Sequence, residues 1–181
     1  MAKIQVILGS TRQGRSGDKV AAWVMKELAN IPGAEYELLD LRDYPLPFFD
    51  EPVSPGSKPG EYTHEEAKRW SEKIKEGAGY IIVTPEYNHG YPAVLKNALD
   101  YLYVEWQNKP VGFVSYGGAA AGARSAEQLT QVVRELHMIA VRDAVLIPSI
   151  WAAFDASGAL AGVEGHLKSL KAMVAGMMKF M

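Results

Sequence analysis

The 181-residue sequence predicts an α/β fold: an open, doubly wound sheet of five parallel strands with helices on both faces, in one domain over residues 1–181. Three observations carry this expectation. Short apolar runs alternate with helix-period segments five times along the chain, the pattern of a parallel sheet wrapped by helices. The run Tyr80-Ile81-Ile82-Val83 is continuous rather than alternating, as in a strand covered on both faces. A chain of this length is about one domain and buries roughly 70% of its unfolded surface, so it needs no staple to fold.

The elements run in order. Ile4 to Leu8 is the first strand, and Val20, Val24 and Leu28 recur at helical spacing behind it. Tyr36 to Leu41 is the second strand. Tyr44 to Tyr62 holds Pro45, Pro47, Pro52, Pro55, Pro59, Gly56 and Gly60, and reads as a long irregular loop, either a functional wall or a surface excursion. Thr63, with Glu66 three residues on, predicts a capping box opening a helix through Ala67, Trp70 and Ile74. Tyr80 to Val83 is the third strand. Pro92 suits the first turn of a helix through Leu95, Leu99 and Leu102, with Lys96 and Asp100 as an i, i+4 surface pair. Tyr101, Tyr103 and Trp106 near its end suit either a core or an interface. Val111 to Ser115 is the fourth strand, and Ala126, Leu129, Val133 and Leu136 form a helical stripe. Val141 to Ile147 is the fifth strand. Val163, Leu167, Leu170, Val174 and Met177 make the last helix, whose methionines read as core filling.

Composition bounds the chemistry. Hydrophobic residues are 48% and charged residues 22%, an ordinary globular balance. Lys plus Arg is 19 against 21 Asp plus Glu, and a net charge of −2 points to no nucleic acid and no membrane surface as partner. Cysteine is absent, which removes disulfides, thiolate metal sites and a cysteine nucleophile, and is compatible with a cytoplasmic address. Met1-Ala2-Lys3-Ile4 lacks the build of a secretory leader, and the longest uncharged stretch, Val111 to Ala123, is too short to span a bilayer.

In a doubly wound sheet, ligands bind beyond the carboxyl ends of the strands at the topological switch point. The loop after the first strand is Gly9-Ser10-Thr11-Arg12-Gln13-Gly14-Arg15-Ser16-Gly17. Its glycines let the backbone turn toward a ligand, and Ser10, Thr11 and Ser16 offer hydroxyls. Arg12 and Arg15 offer forked guanidinium donors, and a helix N-terminus stands behind. These residue types together suit a phosphate, beyond what a turn capped by Ser16 requires. The loop after the third strand, Thr84-Pro85-Glu86-Tyr87-Asn88-His89-Gly90-Tyr91-Pro92, offers aromatic faces and an amide to a planar ring. The loop after the fourth, Ser115-Tyr116-Gly117-Gly118-Ala119-Ala120-Ala121-Gly122, lets a flat ligand lie against bare backbone. Either of these loops alone reads as a structural turn. Together the three describe a ligand with a phosphate at one end and a flat polar ring at the other, and flavin mononucleotide fits at the switch point of a flavodoxin-like strand order, 2-1-3-4-5.

Other motifs are weaker. The first loop lacks the second glycine of a dinucleotide fingerprint. It approaches a phosphate-binding P-loop, but Arg15 stands where that motif needs lysine, and Asp40 is the only strand-end aspartate for magnesium. No two of His64, His89, His137 and His166 lie at i and i+4, and no nucleophile elbow occurs.

The first loop, the Thr84-Pro85-Glu86-Tyr87-Asn88 block with Leu95-Lys96-Asn97-Ala98-Leu99-Asp100-Tyr101, Ser115-Tyr116-Gly117-Gly118 with Gly122-Ala123-Arg124, and Asp40-Leu41-Arg42-Asp43-Tyr44-Pro45-Leu46-Pro47 resemble the NADPH-dependent FMN reductase family. That family also includes quinone, azo-dye and chromate reductases. The likeness runs over about Lys3 to Ile147. It implies a flavodoxin-like fold, bound FMN, NADPH or NADH as hydride donor, a small-molecule acceptor, and a homodimer or homotetramer. By position, Ser10, Arg12 and Ser16 would hold the phosphate. Pro85, Glu86, Tyr87 and Asn88 would run along the isoalloxazine, with Ser115, Tyr116 and Gly117 on its other side. Thr11, Gln13, Gly14 and Arg15 complete the phosphate loop. Arg15, Gly17 and Asp18 depart from the family pattern, and His89 and Tyr91 fall where the family varies.

The expected function is therefore an NAD(P)H-dependent FMN-binding oxidoreductase that passes hydride to flavin and on to a flavin, quinone, azo or similar acceptor. No acid–base catalytic residue is expected, because the flavin carries the chemistry. The alternative is a flavodoxin-type electron carrier without NAD(P)H reductase activity. The small net charge and two loop arginines fit the enzyme better.

Overall fold

The computed structural model describes residues 1–181. Its strands are β1 (Ala2–Leu8), β2 (Ala34–Asp40), β3 (Gly79–Pro85), β4 (Pro110–Tyr116), β5 (Ile139–Ala140) and β6 (Val145–Ile147). Its helices are α1 (Gly17–Leu28), α2 (Glu65–Lys75), α3 (Ala93–Asp100), α4 (Ala123–Glu135) and α5 (Val163–Met178). All pairings are parallel, in the order β2-β1-β3-β4-β5, with β6 also on β4. This is the flavodoxin-like order expected.

Period-two alternation divides the central strands between two cores. Ile81, Val83 and Val114 pack toward Val24 of α1 and Met173 of α5. Tyr80, Ile82 and Phe113 pack the other way, toward Trp70 of α2, Leu99 of α3 and Leu129 of α4. Every residue of β3 and β4 is buried, which is why β3 reads as a continuous apolar run. Met173 and Met177 are fully buried core filling, and Gly112 is bare because a Cβ there would lie 2.5 Å from the Met173 sulfur. Tyr101 and Trp106 are core residues as well, at 0% exposure.

Three local expectations differ from the structure. The fifth strand is two short pieces, with Pro110 and Val111 of β4 pairing with β5 and Val114 to Tyr116 pairing with β6. Between them Arg142 and Asp143 are exposed, two adjacent charges that interrupt pairing at the sheet edge. The Thr63–Glu66 capping box does not form. Thr63 donates its amide (2.8 Å) and hydroxyl (2.5 Å) to Glu51, a charged acceptor in the preceding loop, and His64 becomes the N-cap. α3 ends at Asp100, two residues short of Leu102, whose amide reaches back only three residues to the Leu99 carbonyl (3.3 Å) in a tightened last turn. The Lys96–Asp100 pair is present at 2.7 Å.

The Tyr44–Tyr62 loop is fastened to α3 and to the segment just after that helix. Asn97 donates to the Pro47 carbonyl (2.7 Å) and accepts from the Phe49 amide (2.8 Å), while the Tyr62 hydroxyl donates to buried Glu105 (2.7 Å).

Candidate functional site

The three loops rich in glycine, hydroxyl and aromatic residues meet at the carboxyl ends of β1, β3 and β4. The first leaves β1 through Gly9, whose amide extends the ladder to the Val83 carbonyl (2.8 Å). A side chain there would meet Leu95 Cδ2 at 2.9 Å and that carbonyl at 3.1 Å, so the close approach requires glycine. Ser10 is fully buried, and its hydroxyl shares a 2.7 Å hydrogen bond with the Tyr87 hydroxyl, tying the first loop to the second.

The two loop arginines do different things. Arg15 is buried, and its guanidinium donates to Asp40 (2.8 Å), to Asp18 (2.6 Å) and to the Ser10 carbonyl. These carboxylates hold its proton more tightly than usual. Burial alone would raise the Asp40 carboxyl, but its hydrogen bonds from Arg15 and from the Arg42 amide outweigh that and hold it below the usual carboxylate range. Arg15 is thus a strut from the loop to the end of β2, and Asp40 is its anchor. Arg42 adds a second tie, donating to the Arg12 carbonyl at 2.6 Å. Arg12 is exposed, and only its backbone takes part in hydrogen bonds within the chain.

Tyr87 and Gly90 exchange backbone hydrogen bonds of 2.9 and 3.0 Å, closing a two-residue reverse turn over Asn88 and His89. Both central residues have positive φ, 50° and 71°, as such a turn demands, and Asn and His tolerate that region better than most side chains. Glu86, its side chain 7% exposed, accepts from the Arg124 guanidinium (2.6 Å) and from the Arg124 amide (3.3 Å) at the start of α4. This ion pair clamps the second loop to the third.

In the third loop the Ser115 hydroxyl turns inward to the Ala121 carbonyl (3.1 Å). Gly122 has φ +79°, and a Cβ on it would lie 2.7 Å from the Tyr116 amide nitrogen. Tyr116 points to the start of α1, where a side chain on Gly17 would strike its hydroxyl at 2.6 Å. That hydroxyl is buried and has no partner, and burial holds its proton on well beyond the ordinary phenol range.

A cleft of about 220 Å³ lies among these loops. Arg12, Arg15, Ser16, Pro85, Glu86 and Tyr87 line it, and Tyr116 and Gly117 close its floor. Of the remaining expected residues, Ser10 and Ser115 are buried beneath it, Thr11 is half-buried, and Gln13, Gly14 and Asn88 are exposed at its margins. Gly118, Ile150 and Trp151 complete the lining and stand outside the expected set. The rule that ligands sit beyond strand carboxyl ends covers the loop after β6 as well, and points to the last two. Larger hollows, about 520 Å³ beside α1, about 400 Å³ within Glu51–Lys68 and about 370 Å³ beside Tyr44 and α2, carry none of the expected site residues.

The donor set fits a flavin phosphate. Ser16 opens α1 without a side-chain capping bond, so its hydroxyl is free. The first amides of α1 have no carbonyl of their own helix to bond. With Arg12, and with the orphaned Tyr116 hydroxyl buried against Gly17 at the start of the same helix, these are four kinds of donor at one end of the cleft.

A family model described as NADPH-dependent FMN reductase matches residues 2–152. The chain is 46% identical over 136 residues to an NAD(P)H-dependent FMN reductase of Schizosaccharomyces pombe, covering 75% of this chain and 68% of that one. It is 34% identical over 115 residues to an NADPH:quinone oxidoreductase of Arabidopsis thaliana, covering 61% of this chain and 56% of that one. Among solved structures, a flavoenzyme NAD(P)H:(acceptor) oxidoreductase from Paracoccus denitrificans superposes with a TM-score of 0.77 at 20% identity, over 99% of both chains, a likeness of fold.

Proposed function

The chain belongs to the NADPH-dependent FMN reductase family and is an NAD(P)H-dependent oxidoreductase that uses FMN, and we propose that the cleft over β1, β3 and β4 is its flavin site. One observation carries this reading: Arg12, Ser16 and Tyr116, three of the side chains that line the cleft, have donors with no partner in the chain. The buried Tyr116 hydroxyl is the most telling of them, since an unpaired buried hydroxyl is costly unless a ligand satisfies it. Arg12 and Ser16 hold the phosphate at the N-terminus of α1, and Tyr116 donates to the same end of the ligand. Thr11, Gln13 and Gly14 supply backbone amides, while Ser10 and Arg15 keep the loop in shape from below. Pro85 to Asn88 run along one side of the isoalloxazine, and the floor from Ser115 to Gly117 lies on its other side.

Bound FMN supplies the hydride-accepting and electron-donating chemistry. The protein binds the phosphate, fixes the ring between two clamped loops and leaves one side of the cleft open to reactants. The same opening serves NAD(P)H and then a small acceptor such as a quinone, free flavin or azo compound. No helix of the chain is long and apolar enough to cross a membrane. The protein works in the cytoplasm as a homodimer or homotetramer, with residues 1–181 forming one FMN-binding domain. The exposed Phe48 and Val53 supply apolar surface for the assembly.

The test is the visible spectrum of the protein reconstituted with FMN, before and after anaerobic NADPH. A flavin spectrum that NADPH bleaches is the expected result. A bound flavin that stays oxidised marks an electron carrier instead, and a chain that takes up no FMN overturns the site.

A further inference from the structure

Three of the chain's four tryptophans are core residues: Trp23, Trp70 and Trp106 are 7%, 0% and 0% exposed. Trp151 is 76% exposed and lines the same cleft as Arg12, Ser16 and Tyr116. Leaving so much indole in water forgoes the burial that holds the other three, so this position calls for something that covers it.

The backbone that presents Trp151 is tied to the floor of the cleft. Gly117 donates to the Ile147 carbonyl (3.2 Å), Ser149 to Gly118 (3.0 Å) and Ile150 to Gly117 (2.9 Å). Ser149 takes the left-handed conformation, φ 46°, and the Ala152 amide closes the turn on its carbonyl at 2.8 Å. The indole therefore stands on a loop zipped to the Gly117–Gly118 backbone. Its outer edge borders a bare α-carbon: a Cβ on Gly118 would meet Trp151 Cη2 at 3.5 Å. The cleft thus has a donor side, made by Arg12, Ser16 and Tyr116, and beside it an aromatic wall held in register by backbone hydrogen bonds.

We infer that Trp151 contacts the bound flavin nucleotide, its indole forming the side wall of the cleft next to Gly118 and leaving the mouth free for reactants, and that it sets how tightly this protein keeps FMN. The inference rests on the cleft being the FMN site. A flavin nucleotide is a ligand that needs both walls: its phosphate answers the donors, and its carbon-rich ring and ribityl chain answer the indole by stacking and dispersion.

The experiment labels the chain with 5-fluorotryptophan and follows ¹⁹F NMR during FMN titration of the apoprotein. Trp151→Phe removes one resonance and so assigns it. Addition of FMN moves that resonance more than the three core ones. In parallel, flavin fluorescence reads the dissociation constant: Trp151→Ala weakens FMN binding about 5- to 30-fold and Trp151→Phe by no more than about threefold, as for loss and retention of an aromatic stacking surface. If FMN saturates the wild-type chain while the Trp151 resonance stays still, or if Trp151→Ala binds FMN as wild type does, the inference falls and the FMN site stands. A Trp151 resonance that moves with protein concentration instead of FMN shows that a second copy of the chain covers it, which also overturns the inference. A wild-type chain that binds no FMN in the same titration removes the site reading itself. The wild-type titration decides even where the alanine variant does not fold.

Discussion

Two arginines three positions apart in one loop have opposite fates, and the difference is testable. Arg12 has a guanidinium without internal partners, so Arg12→Ala removes nothing that holds the fold. Its expected effect is FMN binding weaker by roughly 10- to 100-fold, the loss of one charge-assisted contact, with the apoprotein's melting temperature unchanged; flavin fluorescence titration and a thermal melt read the two. Arg15 is committed to Asp40 and Asp18. Asp40→Asn leaves a buried guanidinium short of one carboxylate and lowers stability at pH 7 by about 2–3 kcal/mol, somewhat under the cost of breaking a fully buried pair because Asp40 is partly exposed. The pH dependence has a definite sign. The Asp40 carboxyl is held below its ordinary value, so its contribution is fully present above that value and is lost as pH falls through the depressed one. Denaturant unfolding at pH 7 and at pH 3 should show the gap between wild type and Asp40→Asn closing on acidification. In the sequence the two arginines look alike, both cationic and both in a glycine-bearing βα turn. What separates them is Asp40, twenty-five positions away along the chain and brought within 2.8 Å only by β1–β2 pairing.

At the scale of elements, local chemistry was legible where a segment contains its own instructions, and illegible where a distant group outbids it. The loop motifs sit where strand ends must place them, and β3 and β4 announce their burial in their composition. The opening of α2 shows the opposite case. Thr63 and Glu66 have the spacing of a capping box, yet Glu51, from a proline-rich loop with no periodicity to read, takes both Thr63 donors. Glu66→Ala is therefore expected to change stability by less than about 0.5 kcal/mol, as at a plain surface site, whereas Glu51→Ala costs about 1 kcal/mol. Limited proteolysis is the sharper readout: Glu51→Ala hastens cleavage within Tyr44–Tyr62, and Glu66→Ala does not. The fifth strand departs for a local reason: of the apolar run Val141 to Ile147 only Val145 to Ile147 pair with β4, the other piece, Ile139–Ala140, lies before the run, and the exposed charges of Arg142 and Asp143 fall between the two.

Across the whole molecule, the two ends of the sheet carry different burdens, and that separation can be measured. At the carboxyl end the partnerless Tyr116 hydroxyl and Arg12 guanidinium would be satisfied by the proposed ligand. At the amino end Lys109 donates to the Tyr80 hydroxyl (2.9 Å) and the Ile74 carbonyl (3.3 Å) and lies over the Tyr80 ring, half-buried beside the core. Burial pushes its ammonium down to about 8, the nearby Glu105 carboxylate only partly offsetting this. A lysine whose folded value is depressed destabilises the fold most below that value, and the penalty fades as pH rises toward its ordinary 10.5, where the unfolded chain also loses the proton. Lys109→Met should therefore stabilise the apoprotein at pH 7, by on the order of 1 kcal/mol once partial exposure is discounted, with the gain shrinking by pH 10. FMN bound in the proposed cleft would act from the other end by mass action: at a hundredfold excess over its dissociation constant it adds about 2.7 kcal/mol, or roughly 5–10 °C in a chain of this size. Because the two sites share no partners, their effects should add. Thermal melts of wild type, Lys109→Met and Arg12→Ala, each with and without FMN at one fixed concentration, give the pattern: the same flavin shift in Lys109→Met as in wild type on a higher baseline, and a reduced shift on an unchanged baseline in Arg12→Ala. A flavin shift that changed with Lys109 and not with Arg12 would place the ligand at the wrong end of the sheet.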